Sequence, residues 1–398
     1  MIAAHMAEAS QHWLNERQLR VMTYKSGALT FRVGADLSQL QPMLDRINDA
    51  QHRFNQIPGL NQIVDDMQSR VLATSVYSTN TIEGGQFSPQ ETAQILRRDP
   101  ATIQRAEERR LTNLKAAIES IKSQACPELR PEQGQPLQLA QIIHLHRLVS
   151  QNIDEAHNPP GVLRNNRAGQ KTLVGDNAHG GTYRPPKTQI DIELLLDGLL
   201  SWLNAPAIMS LPVPLRAALA HYYVELIHPF WDGNGRTGRL IEMLILEQSG
   251  YTYSSSAIWQ FYQENLHQYF TLFNHCRKQA EKKHPFPNQD FLHFSLQGLF
   301  TTINRLHDES NELIRALLFH SHLTSARLNH VLSERQYQLV ILYMQWLSHN
   351  APLTPTELYV TPAVQALYHH RTERTFHRDV ADMKSRHFFR EQQGKLFL

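Results

Sequence analysis

"VELIHPFWDGNGRTGRLIEML", residues 224–244, decides the fold. Ahead of it, Leu215, Ala218, Leu219, Tyr222 and Leu226 follow the i, i+3, i+4, i+7, i+11 spacing of one buried helical face, and Pro212 and Pro214 mark the start. Behind it, Leu240, Ile241, Met243, Leu244, Ile245 and Leu246 are apolar nearly all round, as in a helix enclosed by others, until Gly250 ends it. The stretch therefore reads as two core helices joined by a polar, glycine-rich loop. A plain turn would not need His228, Asp232, Asn234, Arg236 and Arg239 packed so closely.

Outward from this pair, helical patterns cover about 38–56, 60–83, 88–98, 101–123, 136–152, 187–204, 256–282 and 289–330. Two segments depart from helix. "GQKTLVGDNAHGGTYRPP", 169–186, has short β-prone runs around a polar tip closed by Pro185 and Pro186, which reads as a hairpin. The C-terminus runs helix, helix, helix, two strands, an order that fits a small winged helix. The expected fold is mainly α in three parts: an N-terminal helical region 1–120, a catalytic core 121–325 and a winged-helix-like domain 326–398.

With 398 residues the chain exceeds what one core usually fills. Thirty-nine Lys and Arg against thirty-seven Asp and Glu leave a formal charge of +2, so no global field attracts nucleic acid or membrane. Cys126 and Cys276, the two cysteines, are far apart, which argues against a disulfide scaffold and a thiolate zinc site. The opening "MIAAHMAEASQHW" lacks a secretory pattern and no run of about 18 apolar residues occurs, so the expectation is a cytoplasmic protein that meets no membrane.

Gly233 and Gly235 let backbone approach a ligand closely, and the helix that starts beside them points free N–H groups and the positive end of its dipole at the same place. Arg236 and Arg239, at i and i+3, add two guanidinium forks suited to neighbouring phosphates. Asp232 cannot bind an anion, but a carboxylate beside phosphates suits Mg2+. His228 is the group able to take a proton near neutral pH. Among 22 histidines a lone one is ordinarily a surface or core residue, the reading given to His144, His146, His221, His369 and His370; His228 differs through its neighbours.

The joint pattern H-P-F-x-D-G-N-G-R-x-x-R specifies nine of twelve positions, and through it residues 130–285 resemble the Fic-domain family. The resemblance implies transfer of AMP from ATP to a Ser, Thr or Tyr hydroxyl of a target protein, or of the chain itself, with release of pyrophosphate. It implies His228 as the base, Asp232 as the Mg2+ ligand, and Gly233, Asn234, Gly235, Arg236 and Arg239 as the phosphate-binding residues, with Phe230 anchoring the loop. The hairpin resembles the family's target-positioning flap, with Leu173 and Val174 in register to pair with a target strand. "ENLHQYF" resembles the element that shapes the nucleobase pocket, matching at Asn265 and Tyr269, with Phe270 in place of a tyrosine.

"STNTIEGG", 78–85, ends a helix with a carboxylate, which the helix dipole disfavours by about 0.3 to 1 kcal/mol. Helix physics alone leaves Glu83 either exposed before a glycine cap or matched to a distant partner. Thr79, Glu83 and Gly84 also match the family's inhibitory motif, and the resemblance implies that Glu83 pairs with Arg239 and holds the enzyme autoinhibited. The same Glu serves AMP removal in some relatives, so de-AMPylation stays open, as does transfer of another nucleotide.

In the C-terminal domain Phe376, Val380 and Met383 share an apolar face. Between 366 and 395 seven Lys or Arg face four acids, too small an excess to choose between DNA and protein as its partner. A DNA-binding regulator with a nucleotide-sensing core is the reading from another class; an intact His228 argues against it. A homodimer stays open.

Overall fold

The computed structural model describes residues 11–59, 61, 63–124, 135–153, 157–167, 170–347 and 350–398. Cys126, and Gly169 at the start of the expected hairpin, lie outside them. Two compact units divide the chain, Met1–Ser310 and Asn311–Leu398.

The first unit opens with strands, where a purely helical region was expected. β1 (Gln11–Asn15), β2 (Gln18–Met22) and β3 (Ala28–Arg32) form an antiparallel sheet in that order, paired Leu19 to Phe31 and Val21 to Leu29. Its reason is a period-two alternation: Leu19, Val21, Phe31 and Val33 are buried, with polar residues between them. Phe31 packs against Trp202 and edge-on to Tyr223, which attaches the sheet to the helical body.

Helices follow: α1 (Leu37–Asn55), α2 (Val64–Ile82), α3 (Pro89–Leu96), a 3-10 turn (Pro100–Thr102), α4 (Ala106–Gln124) and α5 (Leu139–Ser150). Asp36 caps α1 by accepting the Ser38 N–H, and Ser88 with Glu91 forms a capping box on α3. A hairpin of β4 (Val174–Asp176) and β5 (Gly181–Tyr183) precedes α6 (Gln189–Leu203), a short α7 (Pro206–Met209), α8 (Val213–Ile227), α9 (Asn234–Glu247), α10 (Ser254–Glu264), α11 (Leu266–Glu281) and the long α12 (Gln289–Leu328).

The centre of this unit is the pair α8 and α9. Every residue of α8 except Glu225 is buried, more than the single face the spacing indicated, because other helices enclose it. α9 is buried from Arg236 to Glu247. Each fully buried Leu or Ile here contributes about 1.5–3 kcal/mol. The loop between the pair is thus fixed at both ends by the best-packed elements of the unit.

The second unit completes α12 and adds α13 (Glu334–Leu347), α14 (Pro355–Tyr359), α15 (Pro362–Leu367), α16 (Glu373–Ser385), β6 (Arg390–Gln392) and β7 (Lys395–Phe397). Its division from the first falls before the expected 325/326 boundary, because α12 runs through that boundary as one helix. Phe376, Val380 and Met383 join Leu339, Tyr343 and Leu396 in its core. Gln393 and Gly394, both at positive φ (52° and 76°), make the tight turn between β6 and β7. Among the described residues no helix is long and apolar enough to cross a membrane.

Candidate active site

His228 closes α8 in a left-handed conformation, φ 49° and ψ 63°. For a non-glycine residue that is strained, on the order of 1–3 kcal/mol, and it persists only when its surroundings hold it. Arg164 does so. Its Nε donates to the His228 carbonyl at 2.6 Å and its backbone N–H to the Pro229 carbonyl at 2.9 Å. Arg164 is fully buried, so this charge-assisted bond works without competition from water.

The rest of the loop is pinned from inside. Asn234 accepts the Phe230 N–H at 2.8 Å and donates to the Phe230 carbonyl at 2.9 Å, so its amide serves the loop itself. Phe230 stacks on His146 at 3.6 Å between ring centroids. His146 Nδ1 accepts the Gly161 N–H at 3.0 Å, which leaves Nε2 to carry the proton and donate to the Asp232 carbonyl at 3.0 Å. Burial, with Arg236 beside it and the bond to Asp232 opposing, pushes its pKa down to about 4, in keeping with this neutral tautomer.

Gly233 sits at φ 79° as the N-cap of α9, aiming the helix's first N–H groups into a cavity of about 330 Å³. His228, Asp232, Gly235, Arg239, Tyr269 and Val174 border it. Arg236 Nη2 donates to Asp232 Oδ2 at 2.6 Å. Burial works to raise the Asp232 pKa, but the Arg236 charge and the Gly233 N–H outweigh it and keep it ionised. Burial, followed by the positive charge of Arg164, pushes His228 down to about 3. Its imidazole is therefore neutral at pH 7 and able to accept a proton. Burial and the nearby Glu83 push Glu225 up to about 8, so the 4.0 Å approach of Glu225 to His228 is between two neutral groups at pH 7.

Arg239 is fully buried and uses all three nitrogens: Nε to Thr79 Oγ1 at 2.8 Å, Nη1 to the Tyr269 hydroxyl at 3.2 Å, Nη2 to Glu83 Oε1 at 2.5 Å. Burial disfavours its charge, yet Tyr269 and Glu83 more than compensate. The Tyr269 hydroxyl passes its own proton toward His221 Nε2 at 2.9 Å, and His221 Nδ1 donates to Glu242 at 2.9 Å. Glu83 is the C-cap of α2, followed by Gly84 at φ 84°. Its carboxylate lies where a Cβ on residue 235 would stand, so Gly235 makes the seat that Glu83 occupies.

The structure thus brings together His228, Asp232, Gly233, Gly235, Arg236, Arg239 and Tyr269 with Thr79 and Glu83. Five expected residues do not line this cavity: Arg236 and Gly84 border a second cavity with Asp232 and Glu83, and Thr79 meets this one only through Arg239. Asn265 bonds the Phe261 carbonyl at the junction of α10 and α11, and Leu173, the residue before β4, borders a different cavity. The spacing did not reveal Arg164, Glu225, or Asn274, whose amide holds the Gly181 carbonyl of the hairpin at 2.5 Å. His146 was passed over as one histidine of many. Among the described residues no group of three or more His, Cys, Asp or Glu could hold a metal. A lone half-exposed carboxylate does suit Mg2+ that arrives with a polyphosphate, since that ion takes one or two carboxylates and completes its shell with phosphate and water.

Residues 136–246 match the Fic/DOC family. Protein adenylyltransferase fic-1 of Caenorhabditis elegans is 28% identical over 211 residues, 52% of this chain and 38% of the relative. Protein adenylyltransferase Fic of Aedes aegypti is 27% identical over 214 residues, 53% and 39%. The chain spans under two fifths of the length of these curated relatives. Among solved structures, residues 134–508 of Fic-1 from C. elegans superpose with TM-score 0.52 at 22% identity, covering 69% of this chain and 74% of that one. A Fic family protein from Desulfovibrio desulfuricans G20 gives 0.54 at 14% identity, covering 89% and 91%. The matched region, residues 136–246, contains the loop from His228 to Arg239, so what this chain is shown to carry is a segment matching the Fic/DOC family model.

Proposed function

We propose that the chain transfers AMP from ATP to a hydroxyl of a protein and that Glu83 restrains the reaction. The observation that carries this reading is Arg239, a phosphate-binding type of residue in the loop whose Nη2 is taken by Glu83 at 2.5 Å. The curated relatives named above as protein adenylyltransferases support the activity.

In this reading the N–H groups around Gly233 and Gly235, with Arg236, hold the phosphates beside the α9 N-terminus, where a charge-bearing ligand meets the positive end of the dipole. Neutral His228 takes the proton of a Ser, Thr or Tyr hydroxyl as that oxygen attacks the α-phosphorus. The bond from the α-phosphorus to the bridging oxygen breaks and pyrophosphate leaves. Asp232 would hold Mg2+, which supplies charge neutralisation at the departing phosphates. Arg239 holds the γ-phosphate only after Glu83 has left it. Val174, on the hairpin beside the cavity, registers a target strand. The chain binds ATP and a protein acceptor; the second unit, whose helices and final hairpin follow a winged-helix order, supplies a docking module for protein or DNA.

Incubation of the parent and Glu83→Gly proteins with ATP labelled on the α-phosphate, then on the γ-phosphate, tests the reading. Label on protein from α-labelled ATP alone, stronger in the variant, is the expected result. Label from γ-labelled ATP would assign phosphate transfer instead.

A further inference from the structure

A cavity of about 760 Å³ in the first unit is separate from the one that holds His228. It lies on the other side of the β4–β5 hairpin: Leu173 and Arg184 border it, Val174 borders the candidate active site, and Tyr183 borders both. The hairpin is the common wall.

The opposite wall is β3, the edge strand of the N-terminal sheet. Arg32 turns its backbone away from β2: its N–H donates to the Tyr223 hydroxyl at 3.0 Å and its carbonyl accepts from that hydroxyl at 2.8 Å and from Asn288 at 3.1 Å. Alternate residues of an antiparallel strand share a direction, so Thr30 and Ala28 also point their N–H and C=O groups to the free edge. Side chains close the edge at Arg32, and at Thr30 and Ala28 it opens onto the cavity. Such an edge is a template for another extended chain.

The charge of the lining is one-sided. Arg32, Arg184 and Arg277 face Glu281 alone, and Glu281 is already paired with Arg277.

We propose that this cavity is an exosite for an extended, acidic segment of the acceptor protein, which adds a strand to the free edge of β3 and sets its charges against Arg32 and Arg184. The occupant rests on the transfer reading above; the binding site does not. Held there, an acceptor lies one hairpin away from His228, so recognition of the protein is separated from choice of the hydroxyl.

The test uses the full chain without nucleotide and a fluorescein-labelled octapeptide of alternating glutamate and valine, with the lysine–valine counterpart as control, read by anisotropy. The acidic peptide should bind at least about tenfold more tightly than the basic one. Thr30→Pro, which deletes an edge N–H without touching the β2 ladder, and Arg184→Glu, on an exposed side chain, should each weaken it about tenfold or more. Far-ultraviolet circular dichroism and ATP affinity should not change in either variant. No binding to the parent, or binding to both variants as tight as to the parent, overturns the exosite. Failure here leaves AMP transfer standing, and loss of AMP transfer leaves the peptide result standing.

Discussion

Glu83 Oε1 and Arg239 Nη2 lie 2.5 Å apart across 156 residues of chain, with Thr79 and Tyr269 on the other two nitrogens of the guanidinium. An arginine so fully engaged cannot grip a phosphate at the same time. Glu83→Gly should therefore raise productive ATP binding by at least about tenfold, about 1.4 kcal/mol, and expose modification that the parent hardly shows. The double variant Glu83→Gly with Arg239→Ala should be inactive, whereas simple removal of a negative charge would survive loss of the arginine. Labelled AMP incorporation into the four proteins checks this; parent and Glu83→Gly proteins of equal activity would return Glu83 to a cap.

If His228 is the base, its removal separates chemistry from binding. His228→Ala should lose about 10²- to 10⁴-fold in transfer rate while ATP affinity stays within a few-fold. Single-turnover labelling and ATP titration on one preparation decide it, and parallel loss of both would make His228 structural.

Arg164 gives a third expectation. It holds the left-handed His228 through that residue's carbonyl, and a lysine cannot keep the same forked contacts with the His228 and Asn166 oxygens. Arg164→Lys should lower kcat by about tenfold or more and leave the ATP dissociation constant within about twofold. A matched fall in both would place Arg164 in nucleotide binding.

His146 predicts how stability changes with pH. Its folded pKa, about 4, lies below the unfolded value of about 6.5. Between those values the unfolded chain binds a proton that the folded chain refuses, so stability falls as pH falls. From pH 6.5 to 5 this one group should remove about 2 kcal/mol. Urea unfolding at both values for the parent and His146→Gln should show a shallower loss in the variant; identical slopes would mean the imidazole is not held neutral.

The helices flanking the loop were legible because Leu215, Leu219, Leu240 and Leu244 repeat at helical spacing, and the loop because its working residues are contiguous. Contacts between distant residues were not. Arg164 reaches His228 across 64 positions and Asn274 reaches Gly181 across 93, and neither has a local pattern. The five-residue strands β1 to β3 escaped because so short an alternation carries little signal beside long helices. The place of Asn265 was hidden for a related reason: the turn between α10 and α11 directs its amide back to Phe261.

Gly235 has one more consequence. The missing side chain there is a single vacant volume with two claimants, the Glu83 carboxylate now seated in it and the backbone approach that a phosphate would need. Any larger residue would evict both, so if Glu83 restrains the reaction as proposed, a change at 235 would release the restraint only by disturbing the loop. On that reading, heritable adjustment of the set point falls to the α2 side, through Thr79, Glu83 or the turn at Gly84, where the carboxylate can be withdrawn and the loop left intact.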